Sequence, residues 1–316
     1  MKKILYLTNE IEDKQLSLRD VGNNYGNLCF YYGTINILKD HDIYFNNQID
    51  NPDYIVVSIA NSICNIKCCI NHLQYINKVI SKYTCKKILL SIGAQNNDLE
   101  MFKLEENNKL VINNFLKQFD FINLRGNYTR DLLIYNNIIF NYNVLGCPSI
   151  YLCKPINVNK IKLNNKSHIL FNAPRTNQKN CGFIQKLIKD KSIYFLYQDM
   201  YIESRSNIIG PSNYDNWKTI VNKYEFTIGT RIHGAIMSLT CKIPTLLLVI
   251  DSRTFELAEI FKIPYINIMN KNIKLENKTD IINLINNYSF DYKMYNNYID
   301  EYKSNIKSIL SKQFDL

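Results

Sequence analysis

The feature that most limits how this chain can fold is a regular alternation of short apolar runs with longer amphipathic stretches. Residues 3–8, 54–60, 87–92, 121–124 and 142–145 are largely apolar and read as strands covered on both faces. Between them, residues 26–38, 67–83, 99–119 and 128–135 carry apolar side chains at helical spacing. Strands of this kind separated by helices form parallel sheets with helices on both sides. The alternation breaks at residues 147–167, which hold Pro148, Pro155 and the polar run NVNKIKLNNKS, so a linker is expected there. It restarts with strands at 168–172, 192–197, 226–228, 245–250 and 265–268, and with helices at 178–189, 217–223, 232–241, 254–261 and from about 279 onward. The expected architecture is α/β: two doubly wound Rossmann-like domains, 1–155 and 156–316, facing a cleft.

The formal net charge of +10 admits an anionic substrate, a nucleic acid or a membrane surface as partner. The basic residues are dispersed and the tyrosines lie within the periodic segments, which argues against a nucleic-acid-binding module. Nine scattered cysteines without paired C-x-x-C motifs do not resemble a secreted disulfide framework. The apolar stretch after Lys2-Lys3 is too short for a signal peptide, and the longest later run, 243–250, is too short to span a membrane. A cytoplasmic protein with reduced thiols and no transmembrane segment is expected.

Ligands of open α/β sheets collect beyond the carboxyl ends of the strands. The sharpest segment of that kind is Gly229-Thr230-Arg231-Ile232-His233-Gly234, where a strand runs straight into a helix. Free N–H groups at the helix start favour an anion, Arg231 adds a planar fork for carboxylate or phosphate, and His233 adds a titratable group. By spacing alone the same turn also reads as an ordinary helix start with a surface arginine and a capping histidine. Leu124-Arg125-Gly126 places a second arginine after a strand of the first half, so two arginines at strand ends would face one cleft. Residues 20–27 (DVGNNYGN) are neither G-x-G-x-x-G nor a Walker motif, which argues against P-loop chemistry. Ser91-Ile92-Gly93-Ala94-Gln95 is a further strand-end turn that could line the cleft. Cys64, Cys68 and His72 fall four residues apart on an expected helix, beside Cys69. Ligands on three successive turns splay apart, so no metal site is expected.

Taken together and in order, Gly26-Asn27-Leu28, SIGAQ at 91, LRGNYTRDLL at 124, GCPS at 146, GTRIHGAIMSLTCKIP at 229 and DSRTFEL at 251 resemble the polysaccharide pyruvyl transferase family over about residues 20–265. The chain departs from that pattern with Gly22-Asn23 in place of Gly-Asp, and with Ile243 in place of the glycine before Pro244. The resemblance implies a glycosyltransferase-B-like fold and transfer of the pyruvyl group of phosphoenolpyruvate to the hydroxyls of a sugar or glycan, forming a cyclic ketal. Phosphoenolpyruvate is then a co-substrate, and no cofactor is implied. The residues matched to the donor's carboxylate and phosphate are Arg125, Arg231 and His233, with Arg231 and His233 in catalytic roles. Gly229, Thr230, Asn27, Gly93, Gln95, Asn172, Arg175 and Arg253 complete the expected substrate contacts. The competing enzyme of the same fold class is a glycosyltransferase using a nucleotide-sugar.

Overall fold

The computed structural model describes residues 1–8, 22, 24–46, 48–158, 161–174, 181–199, 207–269, 271 and 273–316. The first half runs β1 (Lys3–Leu7), α1 (Asn27–Leu38), β2 (Asp42–Phe45), β3 (Tyr54–Ile63), α2 (Lys67–Ile80), β4 (Lys86–Ala94), α3 (Glu106–Leu116), β5 (Phe121–Leu124), α4 (Asn127–Tyr135) and β6 (Tyr142–Val144). Its sheet has the order β2-β1-β3-β4-β5-β6, with every neighbouring pair parallel. A 3-10 turn at Pro148–Leu152 leads into the second half. There follow β7 (Ile169–Ala173), α5 (Phe183–Leu187), β8 (Tyr194–Tyr197), β9 (Ile208–Ile209), α6 (Tyr214–Val221), β10 (Phe226–Gly229), α7 (Ile232–Thr240), β11 (Thr245–Val249), α8 (Ser252–Phe261), β12 (Tyr265–Asn267), α9 (Lys278–Asn286) and α10 (Tyr292–Phe314). The second sheet, β12-β11-β10-β7-β8-β9, is again parallel throughout. The two Rossmann-like layers expected from the alternation are therefore present.

Local chemistry shifts several boundaries. Residues 99–105 do not join α3, because side chains take their backbone groups: Asn65 bonds Lys103 O and Glu105 N, and Asn136 Oδ1 accepts from Leu104 N. α8 starts two residues early because Asp251 caps it, accepting from Thr254 N at 2.7 Å. The C-terminal helical region is split at 287–291 into α9 and α10. β2 and β9 are short sheet edges of intermediate burial that the expected alternation did not include. The helix expected at 178–189 is seen as α5, and its first residues lie outside those described. Cys64 precedes α2 instead of opening it, so the four-residue spacing to Cys68 and His72 is not a shared helix face.

One apolar cluster lies under each sheet, and a third is continuous across both halves. Its spine is α10, whose Tyr295, Ile299, Tyr302, Ile306, Leu310 and Phe314 are all buried at three- and four-residue spacing. The helix ends against the first sheet: Tyr54 Oη donates to Phe314 O, and the Phe314 ring meets Phe121 edge-on at 6.1 Å. Burying such side chains contributes about 1.5–3 kcal/mol each, so the halves are held to one another by the same effect that holds each together.

Candidate functional site

All strands in both sheets are parallel, so each sheet collects its strand ends along one edge. A cleft lies where these edges meet. From the first half it is lined by Asn61 of β3, Ser91 of β4, Arg125 after β5 and Asn24, Asn27 and Phe30 around α1; from the second by Gln198 after β8, Arg231 and His233 around α7, and Arg253 in α8.

The β10–α7 turn is built around Asn172. Gly229 has φ +155 and lies so close to Asn172 O that a Cβ would clash, and Thr230 N donates to that oxygen at 3.1 Å. A Cβ on Gly234 would come within 2.5 Å of the Asn172 side chain. This packing fixes the direction in which α7 starts. Arg231 is the extended residue before it, 6% exposed, and its Nη2 is ion-paired with Asp199 Oδ2. His233 lies in the first turn of α7, with its ring 6.1 Å from that of Phe30. Burial, followed by the charges of Arg253, Arg125 and Arg231, lowers its pKa from 6.5 to about 3. The imidazole is therefore neutral near pH 7. It can accept a proton, and it is not a standing acid.

Arg125 follows β5 at the cleft and is held in a buried network. It is 2% exposed, and its Nε donates to Glu256 Oε1 of α8 at 2.7 Å. Its Nη1 and Nη2 donate to Asn61 Oδ1 and Ala94 O. Gly93 makes room for it, since a Cβ there would lie 2.5 Å from Arg125 Nε. Glu256 also accepts from Thr129 N at 3.0 Å, which caps the start of α4. Two of the five guanidinium N–H groups of Arg125 are left over for the cleft. Arg253 Nη2 donates to Asp251 Oδ2 at 3.0 Å, while its buried Nε has no hydrogen-bond partner among the described residues.

Of the other expected contacts, Asn27 opens α1 and lines the cleft. Gln95 turns instead to Asp251 Oδ2 at 3.3 Å, joining the two halves beside the cleft. Asn172 and Thr230 are buried behind the turn they shape. Arg175 and Asn23 lie outside the described residues. Asn24, Asn61, Gln198, Asp199 and Glu256 were not legible as site residues. Asn24 sits in the 20–27 segment that matched no phosphate-binding motif, the others sit in no glycine-rich or histidine-bearing turn, and the meeting of the halves brings them together. Among the described residues, no group of three or more His, Cys, Asp or Glu side chains is arranged to hold a metal ion. Among the same residues, no helix is long and apolar enough to cross a membrane.

The sequence profile of the polysaccharide pyruvyl transferase family matches residues 24–252 of this chain, well over half of it. The chain belongs to that family. The match takes in α1, both sheet edges, the β10–α7 turn and the start of α8, and so most of the residues that line the cleft. This polysaccharide pyruvyl transferase family member has no match among curated proteins. Among solved structures, it is similar to Staphylococcus aureus MnaA in a co-structure with UDP, at 12% identity and TM-score 0.51, covering 100% of this chain and 98% of that one. T4 phage BGT in complex with UDP and Mn2+ is 10% identical, with TM-score 0.49 and full coverage of both chains. At such identities the likeness of MnaA concerns the fold: two Rossmann-like α/β halves about a central cleft.

Proposed function

We propose that this family member transfers the pyruvyl group of phosphoenolpyruvate to hydroxyls of a sugar or glycan, forming a pyruvate ketal and releasing phosphate. The observation that carries the reading is the placement of the His233 imidazole at the meeting of two sheet edges, in the field of three arginines. Phosphoenolpyruvate combines a carboxylate with a phosphate, and guanidinium forks suit both. Arg253 and Arg231 would hold the donor, with the remaining N–H groups of Arg125 and the start of α7 beside them. Before the donor arrives, Glu256, Asp199 and Asp251 balance the three guanidiniums.

His233 would take the proton of the attacking sugar hydroxyl. The imidazolium so formed, stabilised by the donor's phosphate, would give that proton to the donor's methylene carbon, making the methyl group. The sugar oxygen bonds to the adjacent carbon as it becomes electrophilic. A second sugar hydroxyl then attacks the same carbon, the bond to the phosphate oxygen breaks, and phosphate departs with the proton of that hydroxyl. Phosphoenolpyruvate is a cytosolic metabolite, so we place the reaction in the cytoplasm. The test is incubation with phosphoenolpyruvate and a panel of galactosides and N-acetylhexosamine glycosides. Mass spectrometry should find the mass gain of one pyruvyl ketal with equimolar phosphate. Glycosyl transfer from UDP-glucose or UDP-N-acetylglucosamine, without use of phosphoenolpyruvate, would overturn the proposal.

A further inference from the structure

One part of the cleft is chemically unlike the arginine cluster. Asn24, just before α1, and Gln198, just after β8, both line the cleft and meet across the two halves, with Gln198 Nε2 donating to Asn24 Oδ1 at 2.9 Å. The same Oδ1 accepts from Gly26 N at 2.9 Å, and Tyr25 N donates to Gln198 O at 2.7 Å, so the contact is anchored through the backbone as well. These bonds fix both amide groups. Asn24 has its oxygen engaged and its NH2 left to donate. Gln198 has its NH2 engaged, while its Oε1 is buried without a hydrogen-bond partner among the described residues; the side chain as a whole is 3% exposed. One free donor beside one free acceptor is the complement of a hydroxyl group, which both accepts and donates.

Two further observations tie this pair to the reacting centre. A Cβ built on Gly26 would lie 2.8 Å from Asn24 Oδ1 and 2.9 Å from His233 Nδ1, and would collide with Gln198 Nε2. The amide pair and the imidazole therefore converge on one bare Cα. The charge next to Gln198 is balanced, because Asp199 carries the ion pair to Arg231. Asn24 and Gln198 are themselves uncharged, so what they can read is a neutral polar group.

We propose that Asn24 and Gln198 form the acceptor subsite, reading a hydroxyl of a neutral sugar and holding it within reach of His233, with the bare Cα of Gly26 leaving the three side chains room to meet. The inference deepens the pyruvyl-transfer reading and rests on it for the donor. The test measures binding to wild type, Gln198→Met and Asn24→Ala, with circular dichroism to confirm folding. The probes are methyl β-galactoside, methyl N-acetyl-β-glucosaminide, methyl N-acetyl-β-mannosaminide and, separately, phosphoenolpyruvate. At least one glycoside should bind wild type, and its Kd should rise about tenfold or more in both variants. The Kd for phosphoenolpyruvate should stay within about twofold, since neither amide meets the arginines that would hold it. A deoxy derivative of the bound glycoside, lacking the hydroxyl that is read, should lose affinity for wild type but little for Gln198→Met. Equal glycoside affinity in wild type and Gln198→Met overturns the subsite, and so does a wild type that binds phosphoenolpyruvate but no glycoside. Glycoside binding that depends on Gln198, in a wild type that ignores phosphoenolpyruvate, keeps the sugar subsite and removes the pyruvyl-transfer reading.

Discussion

Arg125 and Glu256 come from different halves of the molecule and form an ion pair of 2.7 Å in which both side chains are almost fully buried, at 3% and 1% exposure. The carboxylate also caps α4 through Thr129 N. One residue of the second half therefore neutralises a cleft arginine and completes a helix of the first. Arg125→Ala should consequently damage the fold as well as donor binding, unlike the loss of a solvated clamp. Removing one partner of a buried pair costs about 3–5 kcal/mol, because the other charge is left uncompensated. Urea unfolding should show a loss of that size, and Arg125→Met combined with Glu256→Met should be more stable than Arg125→Ala alone. A stability change below about 1 kcal/mol for Arg125→Ala would mean that the pair is not buried in solution.

Arg231 should respond to changes in geometry, even where charge is kept. Its Nη2 is paired with Asp199, and the residue lines the cleft. Arg231→Ala should weaken phosphoenolpyruvate binding about tenfold to a hundredfold, from the loss of a charge-assisted contact of about 1.5–3 kcal/mol. Arg231→Lys should recover little, since an ammonium cannot hold Asp199 and a ligand oxygen with one planar fork. Calorimetric titration of both variants decides this. Near-normal binding by the lysine variant would reduce the role of Arg231 to charge alone.

His233→Ala should lower turnover about a hundredfold or more while changing donor affinity far less. The histidine also makes a prediction for stability against pH. Its pKa is about 3 in the folded protein against 6.5 for a free side chain, so between these values the unfolded chain binds more protons. The stability this group supports is complete above about pH 6.5 and declines as the pH falls toward 3. Denaturation curves of wild type and His233→Gln across that window should converge at low pH, because the glutamine has no proton to gain. Parallel curves would show that His233 titrates normally.

Phosphoenolpyruvate should raise the melting temperature, and nucleotide-sugars should not. A ligand that binds only the native state at a hundred times its Kd stabilises it by about 2.7 kcal/mol. An equal or larger shift with UDP-glucose would favour the glycosyltransferase reading.

The alternation of apolar runs and helical stretches was enough to determine two parallel α/β layers, because burial on both faces leaves a strand little other use. It also located the β10–α7 turn, whose glycines, arginine and histidine are adjacent in the chain and need no partner to be recognised. The state of those residues was decided only in three dimensions. Arg231 acquires Asp199 from 32 positions away and Arg125 acquires Glu256 from 131, and no local pattern encodes either. The same holds for His233, whose neutrality follows from burial and from Arg253 and Arg125, which other elements bring in, beside Arg231 of its own turn. Local spacing determines secondary structure because its forces act over a few residues. Charge balance and hydrogen-bond satisfaction in the cleft depend on which side chains meet when the two halves close on one another, and that contact exists only in the tertiary fold.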